Sequence, residues 1–165
     1  MTDAAMSSCA NELIRELALE PHPEGGFYRE IWRSATPVRA NQRPERSALT
    51  SIYFLLAAGS FSAWHRVESD EVWHWYEGEP LELLLAPPDC SAVQRLKLGP
   101  VNCAAEPVRT VPAHWWQAAR PVGDYTLCGC TVAPGFEFED FTFLRDDLNA
   151  SAELRRGAPD VAHFL

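Results

Sequence analysis

The residues best suited to chemistry lie between His65 and Gly78, in the stretch HRVESDEVWHWYEG. This stretch holds two histidines, four carboxylates and two tryptophans in fourteen residues. Imidazole and carboxylate groups both ligate metals and both transfer protons. The stretch therefore predicts either a metal site or an acid–base site. The structural alternative is a buried histidine and glutamate that only satisfy each other.

His65 and Glu71 are the candidate catalytic residues of this stretch. We predict that they lie on neighbouring strands and face one cavity. A carboxylate beside an imidazole raises the pKa of the imidazole and fixes its tautomer, so such a pair can remove and return a proton. The same two side chains are the candidate ligands for a divalent metal.

Five further residues are candidates for ligand binding. Gln117 and Tyr53 have the groups to hydrogen-bond a substrate, and Trp64 and Trp73 the rings to stack on a sugar face. Arg29 has the planar donors that clamp a carboxylate or phosphate, or form a salt bridge. The alternative for Trp73 is a place in the hydrophobic core.

Two other histidines receive structural interpretations. Side chains alternate along a strand, so His74 points away from Glu71, toward a sheet or dimer interface. His22 belongs to HPEGG, which has the composition of a turn.

The elements that position these residues are mostly short strands. One helix is predicted over residues 8–20, where apolar residues recur at helical spacing and Pro21 and Pro23 follow. TSIYFLLA reads as a strand covered on both faces, and EVWHWY and LELLLA flank the hairpin signal EGEP. Many short strands at even spacing indicate an antiparallel sandwich or barrel.

Composition and charge narrow the classes of partner. The chain has 165 residues, enough for one domain, and a formal net charge of −9. This charge repels phosphate backbones and anionic lipid, so we expect neither nucleic acid nor membrane as a partner. The basic run 29–47, with five arginines, is either a mobile arm that closes over an anionic ligand or a solvated loop.

The cysteines and the N-terminus indicate a reduced, cytoplasmic protein. The five cysteines, which include Cys103, contain no Cys-x-x-Cys pair, and no signal peptide is visible. Cys128 and Cys130 share one strand face, as two small buried hydrophobic residues. Nucleophile-elbow, Walker and dinucleotide motifs are also missing from the sequence.

The spacing around His65 resembles a known motif. Gly59, His65, Glu71 and Gly78 stand in the register of the first cupin motif, with Val67 in place of its second histidine. VPAHWWQAA resembles the second cupin motif. There Pro112 matches the motif proline, His114 stands where a glycine is usual, and Gln117 replaces the motif histidine.

Five segments in order resemble one subfamily of the cupin superfamily, Cupin_5 (DUF985). They are PHPEGGFYREIWRS, TSIYFLL, SAWHRVESDEVWHWYEG, VPAHWWQAA and LCGCTVAPGFEFEDF. The resemblance implies a single all-β cupin domain over residues 1–165, a jelly-roll barrel (double-stranded β-helix) of two antiparallel sheets with one N-terminal α-helix. The barrel would span about residues 25–146. The resemblance also implies a homodimer. The composition of residues 147–165 favours a surface tail, and the alternative is that Leu154 docks, for instance on a second subunit.

The resemblance leaves three functions open. The first is a protein that binds a small polar ligand, sugar-like or an organic acid, as a metal-independent isomerase, epimerase or lyase; some sugar-nucleotide epimerases of this fold work without metal. The second is a binding protein without catalysis. The third is a divalent-metal enzyme, although metal-binding cupins use three histidines and one glutamate and only His65 and Glu71 match them here. We therefore assign no cofactor from the sequence.

Overall fold

Two antiparallel sheets face each other and form a jelly roll. The computed structural model describes residues 7–39, 43–102 and 104–165. The strands in these residues are β1 (Glu20–Pro21), β2 (Phe27–Arg33), β3 (Pro37–Val38), β4 (Arg46–Ser47), β5 (Thr50–Ala57), β6 (Ser62–Arg66), β7 (Asp70–Gly78), β8 (Leu81–Ala86), β9 (Gln94–Leu98), β10 (Val108–Val111), β11 (Trp116–Pro121), β12 (Tyr125–Ala133) and β13 (Thr142–Phe143).

The larger sheet has the order β1-β2-β5-β12-β7-β10, the smaller sheet has the order β13-β6-β11-β8-β9, and β3 pairs with β4. The predicted fold class is thereby confirmed. The predicted hairpin is wrong, because β7 and β8 belong to different sheets and the EGEP turn carries the chain from one sheet to the other.

The core fills the space between the sheets. Strand β5 shows how it is built: Phe54 and Leu56 point into this core, whereas Leu55 and Ala57 point to the outer face of the larger sheet. This explains the continuous apolar run, since both faces of β5 are covered. Burial of each such leucine stabilises the fold by about 1.5–3 kcal/mol.

The N-terminal helix α1 (Ser8–Glu16) covers the outer face of the larger sheet. Its N-cap is Ser7, whose Oγ accepts a hydrogen bond from the backbone N–H of Ala10 at 3.2 Å. The helix ends at Glu16, before the predicted end at residue 20. Ala18 takes a left-handed conformation (φ 49°) that turns the chain into β1.

The C-terminal residues fold onto the smaller sheet, which corrects the predicted surface tail. Helix α2 (Leu148–Gly157) and a 3₁₀ segment (Pro159–Phe164) pack on its outer face. Leu154 is fully buried there with Trp64 and Trp116. Helix α2 was not predicted from the sequence because few of its residues are apolar. Asp147 is its N-cap and accepts a hydrogen bond from the Ala150 N–H at 3.0 Å.

Four cysteines lie within the described residues, and all four are free thiols. Cys128 and Cys130 are buried, as predicted, and Cys103 lies outside the described residues. Within the described part of the chain, no helix is long and apolar enough to cross a membrane.

Candidate functional site

A cavity of about 420 Å³ opens between the two sheets. His65 on β6 and Glu71 on β7 both line it, so the predicted pair does face one hollow. The two strands lie in opposite sheets rather than side by side as predicted. The remaining acidic, aromatic and aliphatic side chains of the wall include Glu20, His22, Glu24, Tyr28, Glu30, Ile52, Phe54, Val67, Cys130, Val132, Phe136, Glu137, Phe138 and Phe141.

A glycine turn brings Glu24 into this cavity. Gly25 has φ +114°, and a Cβ atom there would lie 2.0 Å from the carbonyl oxygen of Phe61. Only glycine permits this approach of the turn to the start of β6. The Ala63 N–H then donates to the Glu24 carbonyl oxygen at 2.8 Å, which fixes Glu24 against β6. Sequence reasoning missed Glu24, although its position before two glycines marked a specially shaped turn.

A bulge in β6 turns two polar side chains inward together. The β11–β6 register pairs Gln117 with His65 and Ala119 with Ser62, so β6 has one extra residue in this interval. Without it, Ser62 would face outward. Ser62 is fully buried, and its hydroxyl donates to Glu24 Oε1 at 2.8 Å.

Glu24 and His65 are close enough to share a proton. His65 Nδ1 lies 2.7 Å from the Ala63 carbonyl oxygen, which can only accept, so Nδ1 carries a hydrogen. His65 Nε2 lies 3.2 Å from Glu24 Oε2. Burial lowers the pKa of His65 and raises the pKa of Glu24, which favours a neutral imidazole beside a protonated carboxyl group.

His22 lies in the same wall. Its Nδ1 accepts from the Glu24 backbone N–H at 3.3 Å and lies 3.5 Å from Glu24 Oε2. Its ring packs edge-on against Tyr28, with centroids 4.5 Å apart. Burial lowers the pKa of His22, an effect that the neighbouring Glu24 charge opposes. His22 therefore supports the turn and also lines the cavity, which the sequence interpretation left out.

Glu71 is held by a buried hydrogen-bond relay. Trp73 Nε1–H donates to Gln117 Oε1 at 3.0 Å, and Gln117 Nε2–H donates to Glu71 Oε2 at 2.6 Å. The indole nitrogen can only donate, which fixes the orientation of the amide. Burial raises the pKa of Glu71, while His65 and the Gln117 hydrogen bond partly oppose the rise.

This relay corrects the predicted role of Gln117, whereas the burial of Trp73 in the core agrees with the structural alternative for that residue. Both side chains are buried, and neither lines the cavity. The two side chains hold Glu71 in position, because Gln117 bonds to both Trp73 and Glu71 and lies outside the lining of the cavity.

Two other predicted ligand contacts, those of Trp64 and Tyr53, lie outside the cavity, whereas Arg29 lines it. Trp64 precedes the inward-facing His65 and so points to the opposite face, where its Nε1–H donates to the Val161 carbonyl oxygen at 3.0 Å. Tyr53 packs on the outer face with α1. Arg29 borders the cavity, but it pairs with Tyr53 across β2–β5, and its guanidinium lies over the Tyr53 ring, 5.8 Å from the centroid.

A phenylalanine-rich segment, residues 134–141, roofs the cavity. Phe136, Phe138 and Phe141 line it from this segment, and Phe141 stacks on the His65 ring with centroids 4.9 Å apart. The Phe136 N–H donates to Thr50 Oγ1 at 3.0 Å, which ties the roof to β5.

Three arginines of the basic run hold this roof through ion pairs. Arg33 contacts Glu30 at 2.9 Å and Glu137 at 2.7 Å. Asp140 accepts from Arg43 at 2.8 Å and also pairs with Arg46. These three arginines bind carboxylates of their own chain. They therefore form neither the predicted arm that closes over a ligand nor the predicted solvated loop. Residues 40–42 of the run lie outside the described residues.

The cavity does not fit the metal site of metal-binding cupins. Val67 is buried in the wall where that site has a histidine, and the Gln117 amide is already bonded at both ends. His114 takes the left-handed conformation of the usual glycine (φ 68°), and its side chain is exposed. In residues 7–39, 43–102 and 104–165, no three His, Cys, Asp or Glu side chains are grouped to hold a metal.

Fold and cavity together define a jelly-roll protein with a polar, buried centre inside the barrel. The chain belongs to the Cupin_5 family of the cupin superfamily (DUF985), whose family model matches residues 11–144. A comparison with curated proteins found no significant match.

Solved structures of two relatives agree with this assignment. A hypothetical protein from Leishmania major is 32% identical, with a TM-score of 0.80, covering 94% of this chain and 95% of its own. A protein from Shewanella oneidensis is 32% identical, with a TM-score of 0.77, covering 99% and 94%. Oxalate decarboxylase from Bacillus subtilis, at 12% identity and a TM-score of 0.57, covers 78% of this chain and 30% of its own and shares the fold alone.

Proposed function

We propose that this protein binds a small polar molecule in the barrel cavity and transfers a proton on it without a metal, as an isomerase, epimerase or lyase. The observation that carries the proposal is the contact of Glu24 with His65 at 3.2 Å inside a cavity that Glu71 also lines. A buried acid and base at proton-transfer distance are the elements that general acid–base catalysis needs.

The suited substrate is a carbon acid, with a C–H bond next to a carbonyl group. Ionised Glu71 removes the carbon proton, the electron pair of the C–H bond moves toward the carbonyl, and Glu24 gives its proton to the carbonyl oxygen. His65 Nε2 carries no hydrogen, because Nδ1 holds it against the Ala63 carbonyl oxygen, so it accepts from protonated Glu24 and keeps this acid in place before the transfer. Returning a proton to the neighbouring carbon, or to the other face of the same carbon, gives the isomer or epimer.

Burial suits both carboxyl groups to these roles. It raises the pKa of Glu24 and of Glu71 above their ordinary value of 4.5, which is the direction that favours acid–base catalysis at neutral pH. The Gln117 N–H and Ser62 O–H bonds keep each carboxyl group oriented.

The test has two steps. Neutral sugars, amino sugars, sugar acids and keto acids are first screened by thermal shift, and each ligand found is then incubated with protein and EDTA in D₂O. We expect NMR to show deuterium entering the ligand carbon with the wild-type protein. Glu24→Gln should retain binding and lose about 10²–10⁴-fold in exchange rate.

Each other outcome decides against part of the proposal. A ligand that stabilises the protein but takes up no deuterium supports the alternative, a binding protein without catalysis. Exchange that EDTA abolishes supports the divalent-metal enzyme. A screen without any ligand overturns the assignment of the cavity as a binding site.

We also propose a homodimer, with the outer face of β7 and β10 as the contact. His74 is half-buried there, and Tyr76 and Val108 are each 44% exposed. Light scattering on the purified protein measures the mass directly, and a monomer at micromolar concentration would contradict this proposal.

A further inference from the structure

The charged groups of the cavity wall are mostly acidic. Five glutamates line it, namely Glu20, Glu24, Glu30, Glu71 and Glu137, against two arginines. Neither arginine offers its charge to the interior. The Arg29 guanidinium lies over Tyr53 on the other face of the sheet, and Arg33 is held by Glu30 and Glu137.

The two deepest acids have only neutral or weakly basic neighbours. Glu24 contacts the Ser62 hydroxyl and the His65 and His22 imidazoles. Glu71 receives the Gln117 amide. Among the described residues, no ion pair joins either carboxyl group to an arginine or lysine. An anionic ligand would meet like charge here without a free cation to bind it.

Aromatic rings supply the rest of the wall. Five of them line the cavity: Tyr28, Phe54, Phe136, Phe138 and Phe141. The faces of such rings carry partial negative charge and attract cations, most strongly where water is excluded. The aromatic rings and the buried carboxyl groups thus both favour a positively charged ligand.

We propose that the ligand of this cavity is a small organic cation, with a primary or quaternary ammonium group on a short carbon body. The inference rests on the proposed function, in that the cavity is the binding site. The ammonium group contacts the phenylalanine rings of the roof and pairs with Glu71, which keeps this base ionised, while Glu24 holds the proton for the carbonyl oxygen.

Binding of the cation is coupled to proton release from Glu71. The groups that face Glu71 are Gln117 from β11, His65 from β6, Cys130 from β12 and Glu24 from the glycine turn. Burial raises the pKa of Glu71, so Glu71 keeps its proton to a higher pH than a free glutamate does. A neighbouring ammonium group favours the ionised form, and the displaced proton passes to the buffer.

The experiment compares ligands of one shape and different charge. The probes are choline, its neutral isostere 3,3-dimethylbutan-1-ol, and the anion 3,3-dimethylbutanoate, measured by titration calorimetry at constant ionic strength. We expect choline to bind at least tenfold more tightly than the neutral isostere, and the anion not to bind. Glu71→Gln should abolish this preference, whereas Glu12→Gln, an exposed change on α1, should preserve it.

Proton release is measured in the same titrations. Choline binding at pH 6 should release up to one proton, seen as a dependence of the binding heat on the buffer, and Glu71→Gln should release none. Choline binding without buffer dependence at pH 6, 7 and 8 overturns the coupling to proton release, and a choline preference that survives Glu71→Gln overturns the assignment of Glu71 as the counter-ion.

The remaining outcomes separate this inference from the proposed function. Equal binding of choline and its neutral isostere, or tighter binding of the anion, overturns the cation and leaves the cavity as a binding site. If none of the three probes binds but a neutral or acidic compound from the earlier screen does, the cation is again wrong. If no compound binds in either experiment, both proposals fail.

Discussion

Glu24 Oε2 and His65 Nε2 lie 3.2 Å apart, although one residue belongs to a glycine turn and the other to a central strand. The contact exists because Gly25 lets the turn reach the start of β6 and because the β6 bulge keeps Ser62 and His65 on one face. The acid and base of the cavity are therefore set by backbone shape as much as by residue type.

The first prediction concerns Glu24→Gln and pH. Unfolded Glu24 titrates near 4.5, whereas burial raises its pKa in the folded protein. Above pH 4.5 the folded state holds more protons than the unfolded state, so this group lowers stability as pH rises. The stability of Glu24→Gln relative to wild type should therefore increase with pH above 4.5, by at most about 1.4 kcal/mol per pH unit.

Urea unfolding between pH 4.5 and 8 measures this difference. The His65 pKa is lowered, so His65 destabilises the fold as pH falls below 6.5, but it does so in both proteins. Glu12→Gln, on the exposed face of α1, should run parallel to wild type. Parallel curves for Glu24→Gln as well would show that the Glu24 pKa is not raised.

The second prediction concerns the relay behind Glu71. Gln117→Leu leaves the Trp73 Nε1–H and the Glu71 carboxyl group without this buried partner, so the free energy of unfolding should fall by about 1–3 kcal/mol. Gln94→Leu is the matched control on exposed β9 and should change it by less than about 0.5 kcal/mol. Urea unfolding measures the free energy of unfolding of both variants. Equal losses in Gln117→Leu and Gln94→Leu would contradict the relay.

The third prediction concerns the glycine turn. Gly25→Ala forces a Cβ to within 2.0 Å of the Phe61 carbonyl oxygen at a φ that alanine rarely adopts. The strained conformation alone should cost about 1–3 kcal/mol, and the displaced Glu24 should weaken binding of any cavity ligand. Gly157→Ala in α2 meets no atom within 4 Å and should leave both measurements unchanged or slightly raise stability. Thermal unfolding and ligand titration of both variants test this.

The fourth prediction concerns the roof. Arg33→Met removes the contacts to Glu30 and Glu137, and partly exposed pairs contribute about 0.2–1 kcal/mol each. Global stability should change little, but the roof should open more often, and N-ethylmaleimide should label Cys130 about two- to thirtyfold faster. Peptide-resolved mass spectrometry measures the rate, with Arg15→Met on α1 as control. An unchanged rate would show that Arg33 does not hold the roof.

The fifth prediction concerns Trp64. Trp64→Phe removes the hydrogen bond to Val161, which anchors the C-terminal 3₁₀ segment. Limited proteolysis should then cut the chain after residue 157 faster than in the wild type. Cavity binding should be unchanged, since Trp64 lies on the outer face. Weaker ligand binding by Trp64→Phe, without faster proteolysis of the C-terminus, would instead show that Trp64 contacts the ligand.

Some features of the site follow from the sequence alone. The cupin spacing of Gly59, His65, Glu71 and Gly78, and the composition of the strands, were enough to predict the jelly roll. They also placed His65 and Glu71 in one cavity, because a motif in register fixes which residues of a strand face inward. The buried cysteines and the two-sided burial of β5 followed from the same alternation.

Only the tertiary structure decided which groups pair. The contact between Glu24 and His65 needs two segments that are distant in the chain, and local patterns carry no information about such a contact. The β6 bulge, the inward turn of Ser62 and the place of Gln117 behind the wall depend on register, which a shift of one residue reverses. The resemblance to the cupin motifs predicted the barrel and His65, one half of the acid–base pair, and only the tertiary structure revealed Glu24, the other half.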